Sequence, residues 1–288
     1  MDLFSTADAI GSACTLALLL EVSATPKPGL VDRLGNGAHD DMDFSTFLAS
    51  AAAIAPYFSA CARAGTGLSA PEEALDLIRP LGIRCDRVML AATGGANTHK
   101  GAIFSLGILA CAAGYASREG DLSAGPVCAA AAVMAAPALR DFDAPGADTK
   151  GLRLYAQQGV TGIRGEAASG FASARQWALP VLEELSGGDF PENDVHLQAL
   201  LLLMANVRDT NVLARGGEEG LAYVRSAARE ALSRGGALSA GGRDRLAAMD
   251  REFTRRNLSP GGCADLLAVA IFLHRLPGLM GKEGSLCR

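Results

Sequence analysis

The chain has 288 residues and a mass of 29.5 kDa, which is long enough for one large domain or two small ones with a sizeable core. Hydrophobic residues make up 49% of the sequence, and this share excludes an intrinsically disordered chain. The formal net charge of −5 provides no basic stripe for a nucleic-acid polymer, although a few local Arg and Lys side chains are enough to hold a small polyanion.

Helical hydrophobic periods recur along the whole chain, and we find no convincing run of alternating β-branched residues. Helices are predicted, in chain order, over 6–22, over 43–64 with a kink at Pro56, from Pro71 onward with an interruption at Pro80 and Gly82, and over 99–116, 123–136, 148–158, 166–185, 192–214, 218–233, 240–254 and 260–276. Neither a change of composition nor an internal repeat divides the chain. We therefore predict a single all-α domain over residues 1–288, folded as a multi-helix bundle.

Cysteine usage and the N-terminal sequence bear on the cellular location. The seven cysteines are odd in number and show no C-x-x-C spacing, which is typical of reduced thiols buried as small hydrophobes. The apolar stretch 9–22 follows Asp2 and Asp8, where a signal peptide has positive charges. Glycine or proline interrupts the other apolar runs, which fall short of about 20 clean apolar residues. These features predict a cytoplasmic protein with no membrane partner.

The segment 25–42 has no helical period and separates the first two predicted helices. Structureless segments of this length inside a compact domain are commonly functional or disordered. Its acidic end holds Asp40, Asp41 and, just beyond, Asp43, and carboxylates are the hard oxygen ligands that Mg²⁺ prefers when it also holds phosphates. The alternative is that Asp41 or Asp43 only caps the helix that opens at Phe44.

A second polar segment, Thr-Gly-Gly-Ala-Asn-Thr-His-Lys-Gly at 93–101, directly precedes a long apolar run. The free N–H groups of a helix start there suit an anion. The segment is not a Walker A loop, because His99 stands where that motif has its second glycine. Lys100 can screen a phosphate, Asn97 can hold an oxygen or a metal, and His99 can move a proton. Alternatively, Thr98 is an N-cap and His99 a satisfied core histidine.

Three later segments add polar side chains at predicted helix ends. Arg164 and Glu166 lie in the first, and Glu166 there has the simpler reading of a helix-dipole partner. Asp209 and Arg215 lie in the second, where a solvated Arg–Asp contact is the alternative.

The third is Asn-Leu-Ser-Pro-Gly-Gly at 257–262. It predicts a helix with Ser259 as N-cap and Pro260 first. Gly261 and Gly262 allow a ligand to approach the bare backbone, and Asp265 lies one turn further on the same side. Five such polar clusters in an otherwise apolar bundle indicate one site where helix ends converge.

Taken together, these blocks closely resemble the triphosphoribosyl-dephospho-CoA synthase family over about 21–274. They are Glu21 with Pro-Lys-Pro-Gly-Leu-Val-Asp-Arg at 26–33, Gly-Ala-His-Asp-Asp-Met-Asp at 37–43, the segment from 93 to 104, and the blocks at 162–166, 209–211 and 257–265. The resemblance implies an all-helical enzyme that joins ATP and 3′-dephospho-CoA and releases adenine. Its product, 2′-(5″-triphosphoribosyl)-3′-dephospho-CoA, is the precursor of a prosthetic group.

The prosthetic group is carried by an acyl carrier protein, which a separate transferase loads, so this partner is indirect. The carrier is a subunit of citrate lyase or, in a sister branch, of malonate decarboxylase. The amino-acid sequence around Gly29 is more similar to that of the citrate-lyase branch. A homodimer is compatible with the resemblance. A Mg²⁺-dependent helical hydrolase of ADP-ribose-like compounds and a non-catalytic helical binding module are the rival functions.

The implied reaction assigns roles to the candidate residues. Asp41, Asp43 and Asp209 are expected to hold Mg²⁺, and Glu166 or His99 to handle protons, with Asp32 as a further catalytic candidate. The triphosphate and the rest of the substrates are expected to be bound by Lys27, Arg33, Asn97, Thr98, Lys100, Arg164, Arg215, Ser259, Gly261 and Gly262.

Overall fold

The structure is a computed structural model that describes residues 5–142 and 150–282, and this part of the chain contains helices and no strand. The helices are α1 Thr6–Ser23, α2 Phe44–Thr66, α3 Ala74–Ala92, α4 Lys100–Ala116, α5 Ala124–Ala135, α6 Lys150–Gln158, α7 Gly162–Ala168, α8 Leu179–Leu185, α9 Glu192–Asn206, α10 Thr210–Ser233, α11 Gly242–Arg255 and α12 Gly261–Arg275. Short 3₁₀ segments include Pro71–Glu73, Ala136–Phe142 and Leu276–Lys282, and a π-helical turn, Ala174–Ala178, precedes α8. The all-α prediction is confirmed.

Helix α4 is the centre of the bundle and packs against α1, α2, α3, α5 and α12. It is apolar all round, as a helix enclosed by others must be. Two glycines bring α2 and α4 into backbone contact: a Cβ on Gly65 would lie 1.9 Å from the Cys111 carbonyl, and one on Gly114 would lie 2.0 Å from the Ala62 carbonyl. Close packing of this kind fixes the start of α4, and with it residues 97–101, relative to its neighbours.

Four stretches are long and apolar enough to cross a membrane by length and composition: Thr6–Ser23, Phe44–Thr66, Lys100–Glu119 and Gly261–Leu279. The sequence argument that no run reaches spanning length is therefore wrong for these stretches. In this fold the most apolar window of the third is 72% buried inside the protein, so its apolar surface serves the core. The cytoplasmic location and the absence of a membrane partner stay predictions.

Several predicted boundaries differ from the structure. Helix α3 runs unbroken through Pro80 and Gly82, because a single proline removes only one backbone hydrogen bond and the packed neighbours hold the helix. The predicted helix 166–185 is broken instead, since Gly170 and Phe171 both have positive φ. Residues 148 and 149 of the predicted helix 148–158 lie outside the described residues.

The predicted helix 192–214 is two helices, because Asp209 starts α10 with a new N-cap. The break predicted before 218 is a kink inside α10, at Gly217 with φ 60° and ψ −159°. The segment 25–42 is confirmed as a connector without helix, since no helix lies between Ser23 and Phe44.

Candidate active site

A cavity of about 980 Å³ opens where the starts of α4, α7, α10 and α12 meet the side of α3. Its size is at the upper end of the roughly 300–1,000 Å³ that ligand pockets have. Apolar side chains, among them Tyr57, Ile83 and Phe104, line one part of it. Four of the five predicted polar clusters therefore contribute residues to one cavity, whereas the segment 25–42 and Asp43 contribute none.

Among the described residues, four cations line the cavity, and each has a carboxylate partner. The guanidinium groups of Arg79 and Arg164 donate to the same oxygen, Asp141 Oδ2, at 2.9 and 3.3 Å. Lys100 Nζ lies 3.6 Å from Asp86 Oδ2. Arg208, the fourth, donates to Glu218 Oε1 at 2.6 Å. A polyanion that enters this cavity meets positive charge from α3, α4, α7 and the segment before α10.

Glu166 is the predicted proton-handling residue that lies on the cavity wall. Its carboxylate accepts a short hydrogen bond from Ser173 Oγ and a second bond from the Ser173 N–H at 3.2 Å. These two bonds fix the carboxylate at the first turns of α7. Asn97, Lys100, Arg164, Asp209 and Gly262 are the other predicted site residues on the same wall.

Asp209 is buried, and its carboxylate is occupied by backbone donors. Oδ1 accepts from the N–H groups of Asn211 and Val212 at 2.8 and 3.1 Å, and Oδ2 accepts from Cys263 N–H at 2.8 Å. Burial raises the pKa of Asp209, and these three bonds oppose the rise. The residue joins the N-termini of α10 and α12 and so shapes the cavity floor.

Gly261 and Gly262 allow the starts of α10 and α12 to approach each other closely. A Cβ on Gly262 would lie 3.0 Å from Asp209 Oδ2, and one on Gly261 would lie 2.7 Å from Asn211 Nδ2. The close approach expected for a ligand is thus made by the protein's own side chains. The cap of α12 also differs from the prediction: Pro260 is the N-cap residue and Gly261 is the first helical residue.

Ser259 belongs to a separate polar group outside the cavity lining. Its hydroxyl is hydrogen-bonded to His39 Nε2 at 2.9 Å, and Arg215 lies 3.3 Å from His39 Nδ1. Arg215 also donates to the Ala38 carbonyl and to Asn257 Oδ1, both at 2.7 Å. The group fastens the segment 25–42 to the turn before α12.

Lys27 and Asp32 are buried residues of that segment. Lys27 is 1% exposed and forms a short ion pair with Glu21 of α1. Asp32 accepts from the backbone N–H groups of Lys27, Leu34 and Gly35 at 2.8, 2.7 and 3.1 Å. Neither side chain lines the cavity. Their contacts stabilise the conformation of the segment 25–42.

His99 is buried directly behind the cavity wall. Its Nδ1 is hydrogen-bonded to Ser50 Oγ at 2.7 Å, Thr98 Oγ1 donates to the same Ser50 oxygen, and Phe47 packs edge-on against the ring. Its Nε2 has no hydrogen-bond partner among the described residues. Burial, with the Lys27 charge, lowers the pKa of His99 to about 3, so the ring is neutral at physiological pH. Its proton-handling role stays a prediction.

The three aspartates expected to hold Mg²⁺ do not come together. Asp43 is an exposed N-cap of α2 whose Oδ1 accepts from Thr46 N–H at 2.7 Å, as the capping alternative expected. Asp41 is exposed and lies 3.8 Å from His39. Asp209 is buried and already bonded. Within 5–142 and 150–282, no group of three or more His, Cys, Asp or Glu side chains is arranged to hold a metal ion.

Arg33, which was expected to bind the triphosphate, is exposed and lies outside the cavity lining.

Comparison with known proteins identifies the family. The model of the ATP:dephospho-CoA triphosphoribosyl transferase family matches residues 7–284. The chain belongs to that family.

Curated relatives cover nearly the whole chain. A 2-(5″-triphosphoribosyl)-3′-dephosphocoenzyme-A synthase of Pectobacterium atrosepticum is 45% identical over 91% of this chain and 87% of its own. The Klebsiella pneumoniae protein of the same name is 42% identical over 94% and 92%. A probable synthase of Albidiferax ferrireducens is 47% identical over 96% and 93%. No solved structure matches the chain.

Sequence reasoning missed part of the cavity wall of this transferase-family protein. Arg79 and Asp86 had a recognisable signal, because with Gly82 and Ile83 they follow the i, i+3, i+4, i+7 pattern of one helix face. The presumed break at Pro80 concealed it. Asp141 has no such signal in the sequence, because its place in the cavity wall depends on hydrogen bonds from Arg79 and Arg164, which are distant in sequence.

Proposed function

We propose that the cavity is the active site in which the chain joins ATP to 3′-dephospho-CoA, forms 2′-(5″-triphosphoribosyl)-3′-dephospho-CoA and releases adenine. The observation that carries the proposal is the placement of four cations and a fixed carboxylate, Glu166, around one cavity. Lys100, Arg164 and Glu166 belong to the blocks that resemble the family. The reaction is glycosyl transfer at the anomeric carbon of the ATP ribose. Its transition state resembles an oxocarbenium ion, as in glycoside chemistry, and the triphosphate is kept whole.

The triphosphate would lie against Lys100, Arg164, Arg79 and Arg208. All four face the cavity, and the three arginines are hydrogen-bonded to carboxylates that a phosphate can replace as acceptor. Asn97, beside the start of α4, would hold a substrate oxygen. Because no phosphate bond is cut, these residues anchor the substrate and need no change of partner during the reaction.

Glu166 is the proposed base for the 2′-hydroxyl of dephospho-CoA. Of Glu166, His99 and Asp32, it is the one whose side chain reaches the cavity, and a base must come within hydrogen-bond reach of the proton it removes. Ser173 holds the carboxylate in place through both oxygens.

We also propose that Mg²⁺ enters together with the triphosphate, since this ion is usually bound by substrate phosphates with one or two carboxylates. The expected set of Asp41, Asp43 and Asp209 does not fit a single ion, because the first two lie outside the cavity and the third is bonded to three N–H groups. No step of the mechanism is assigned to the metal.

The wider setting is a proposal as well. The product would supply the prosthetic group of the citrate lyase acyl carrier subunit, with malonate decarboxylase as the alternative, and the protein would act in the cytoplasm. The modest sequence leaning around Gly29 supports the citrate-lyase branch. A homodimer remains compatible with these proposals.

One assay tests the activity. The protein is incubated with ATP, 3′-dephospho-CoA and Mg²⁺, and the nucleobase and phosphate products are separated by chromatography. Stoichiometric adenine, with a joined product whose mass is that of ATP plus 3′-dephospho-CoA minus adenine, and no phosphate or ADP, is the expected result. Free ribose products in the absence of dephospho-CoA would instead support a hydrolase.

A further inference from the structure

We propose that Asp265 is the general acid of the reaction, the side chain that protonates adenine as it leaves the ribose. This inference rests on the proposed function, because it assigns a step of that same reaction.

Asp265 lies one turn into α12, on the cavity wall, against the first turn of α4. The contact is close: a Cβ on Gly101 would lie 1.9 Å from Asp265 Oδ2. The glycine therefore makes room for this carboxyl group. Lys100 and Asn97 line the same cavity. A group that faces the ligand space from a rigid helix can reach a bound substrate.

The other carboxyl groups of the cavity wall are committed to partners. Asp86 lies beside Lys100, Asp141 accepts from Arg79 and Arg164, Glu166 accepts from Ser173, and Asp209 accepts from three backbone N–H groups. No cation or side-chain donor contacts Asp265 among the described residues; a backbone bond to Ala102 is its contact on α4. A carboxyl group that faces a cavity and has no cation in contact with it is the type that remains protonated and can donate.

The charges around Asp265 favour the protonated form. Burial raises the pKa of Asp265 well above its ordinary value, and the neighbouring carboxyl groups of Glu21 in α1 and Asp209 before α10 add to the rise. Lys27, the cation nearest to Glu21, is already ion-paired with it. On the α4 side the Ala102 backbone opposes the rise, and burial is the largest cause. The pattern is that of a carboxylic acid held neutral for donation.

The step balances as follows. The bond between the anomeric carbon and adenine N9 breaks, and its electron pair stays on adenine. Asp265 gives its proton to another ring nitrogen, so adenine leaves neutral. The 2′-oxygen of dephospho-CoA bonds to the anomeric carbon, and its proton passes to Glu166. Asp265 then carries the charge that Glu166 lost, and exchange of one proton through solvent restores both groups.

The direct test is Asp265→Asn, which keeps size and neutrality but has no acidic proton. With ATP, kcat for adenine release should fall about 10²- to 10⁴-fold, the usual contribution of a general acid. KM for ATP should stay within about three-fold, because triphosphate contacts are untouched. A kcat equal to that of the wild type overturns the proposal.

A second substrate separates an acid from a structural residue. The 5′-triphosphate of 4-nitrophenyl riboside has a leaving group that departs without a proton. With this substrate and dephospho-CoA, Asp265→Asn should recover to within about ten-fold of the wild type, since the acid's contribution is no longer required. An equal loss on both substrates means that the residue only supports the fold, and overturns the proposal.

Asp250→Asn is the matched control. Asp250 is also partly buried, and burial also raises its pKa, but it lies on α11 outside the cavity and accepts the Gly29 N–H, which an asparagine oxygen can equally do. Its activity on both substrates should match the wild type. Failure of the wild type to release adenine from ATP and dephospho-CoA refutes the proposed function itself, whereas an active wild type with an active Asp265→Asn refutes only the acid.

If Asp265→Asn does not fold, the dependence of the wild-type kcat on pH tests the proposal instead. An acid must be protonated, so kcat with ATP should decline as pH rises through the Asp265 pKa. With the nitrophenyl substrate this alkaline decline should be absent. An identical decline with both substrates contradicts an acid that acts on the leaving group.

Discussion

Asp209 accepts a hydrogen bond from the Cys263 N–H at 2.8 Å, and this bond joins the starts of α10 and α12. Replacement Asp209→Ala leaves the donors of Asn211, Val212 and Cys263 without a partner. We expect the free energy of unfolding to fall by roughly 2–4 kcal/mol, from the loss of an N-cap plus buried unpaired donors. Urea denaturation measures it. Asp43→Ala, at an exposed single cap, should cost distinctly less; equal losses would show that the second helix gains nothing from Asp209.

Gly101→Ala tests the space that holds the Asp265 carboxyl group. A Cβ there meets Oδ2 at 1.9 Å, so the carboxyl group must move. Adenine release should fall at least about ten-fold, the effect of misplacing a catalytic group, while circular dichroism still shows a helical protein. Gly125→Ala is the control, because it too is the second residue of its helix but has open space around it. Comparable activity of both variants would contradict the packing.

Buried His99 gives the protein a defined dependence of stability on pH. The pKa of its imidazole is about 3 when folded, against an ordinary value of 6.5. Below pH 6.5 the unfolded chain therefore binds a proton at His99, whereas the folded protein does not bind it until the pH approaches 3. The free energy of unfolding therefore decreases as pH falls from 6.5 towards 3. Between pH 7 and 5, urea denaturation should show that His99→Gln removes about 2 kcal/mol of the wild-type decrease.

Part of the decrease should remain in His99→Gln, because burial also lowers the pKa of His196, to about 4. Equal decreases in wild type and variant would mean that the pKa of His99 is the same in the folded and unfolded chain, and would contradict its lowering by burial.

Arg164→Gln tests the triphosphate anchor. Since the triphosphate is kept whole, its contacts are the same before and during the reaction, and their loss should raise KM for ATP while kcat stays nearly constant. A lost charge-assisted hydrogen bond corresponds to roughly 10- to 100-fold in KM. Arg243→Gln, which breaks a pair with Asp194 away from the cavity, should leave KM unchanged. A decrease in kcat with an unchanged KM for ATP would contradict the anchoring role and would indicate that Arg164 stabilises the transition state instead.

The parts of the fold that could be predicted from the sequence are those that local pattern decides. Helix α4 begins at Lys100, one residue from the prediction, because the apolar run after it is uninterrupted. Capping of α2 by Asp43 is likewise local, and it was one of the two alternatives open at that residue.

Roles that depend on how the backbone folds between helices, and on which side chains pack together there, could not be predicted. Asp32 looked like a catalytic carboxylate, yet its three backbone donors come from the way 27–35 folds back on itself. Lys27 is a plausible phosphate ligand by type, and only the packing of α1 beside it reveals the buried pair with Glu21. Residue type indicated the chemistry of the site; tertiary contacts decided which copy of each type reaches the cavity.

The connector 25–42 is tied to residues near the other end of the chain, through Gly29 N–H to Asp250 and through His39 to Ser259. During synthesis on the ribosome, residues 250–259 emerge more than two hundred positions after the connector does. The N-terminal motif therefore cannot take its final shape until residues 250–259 are available. A nascent chain that stalls before Asp250 has all the sequence of the first two motifs but lacks the attachments that order them, and it should have no activity.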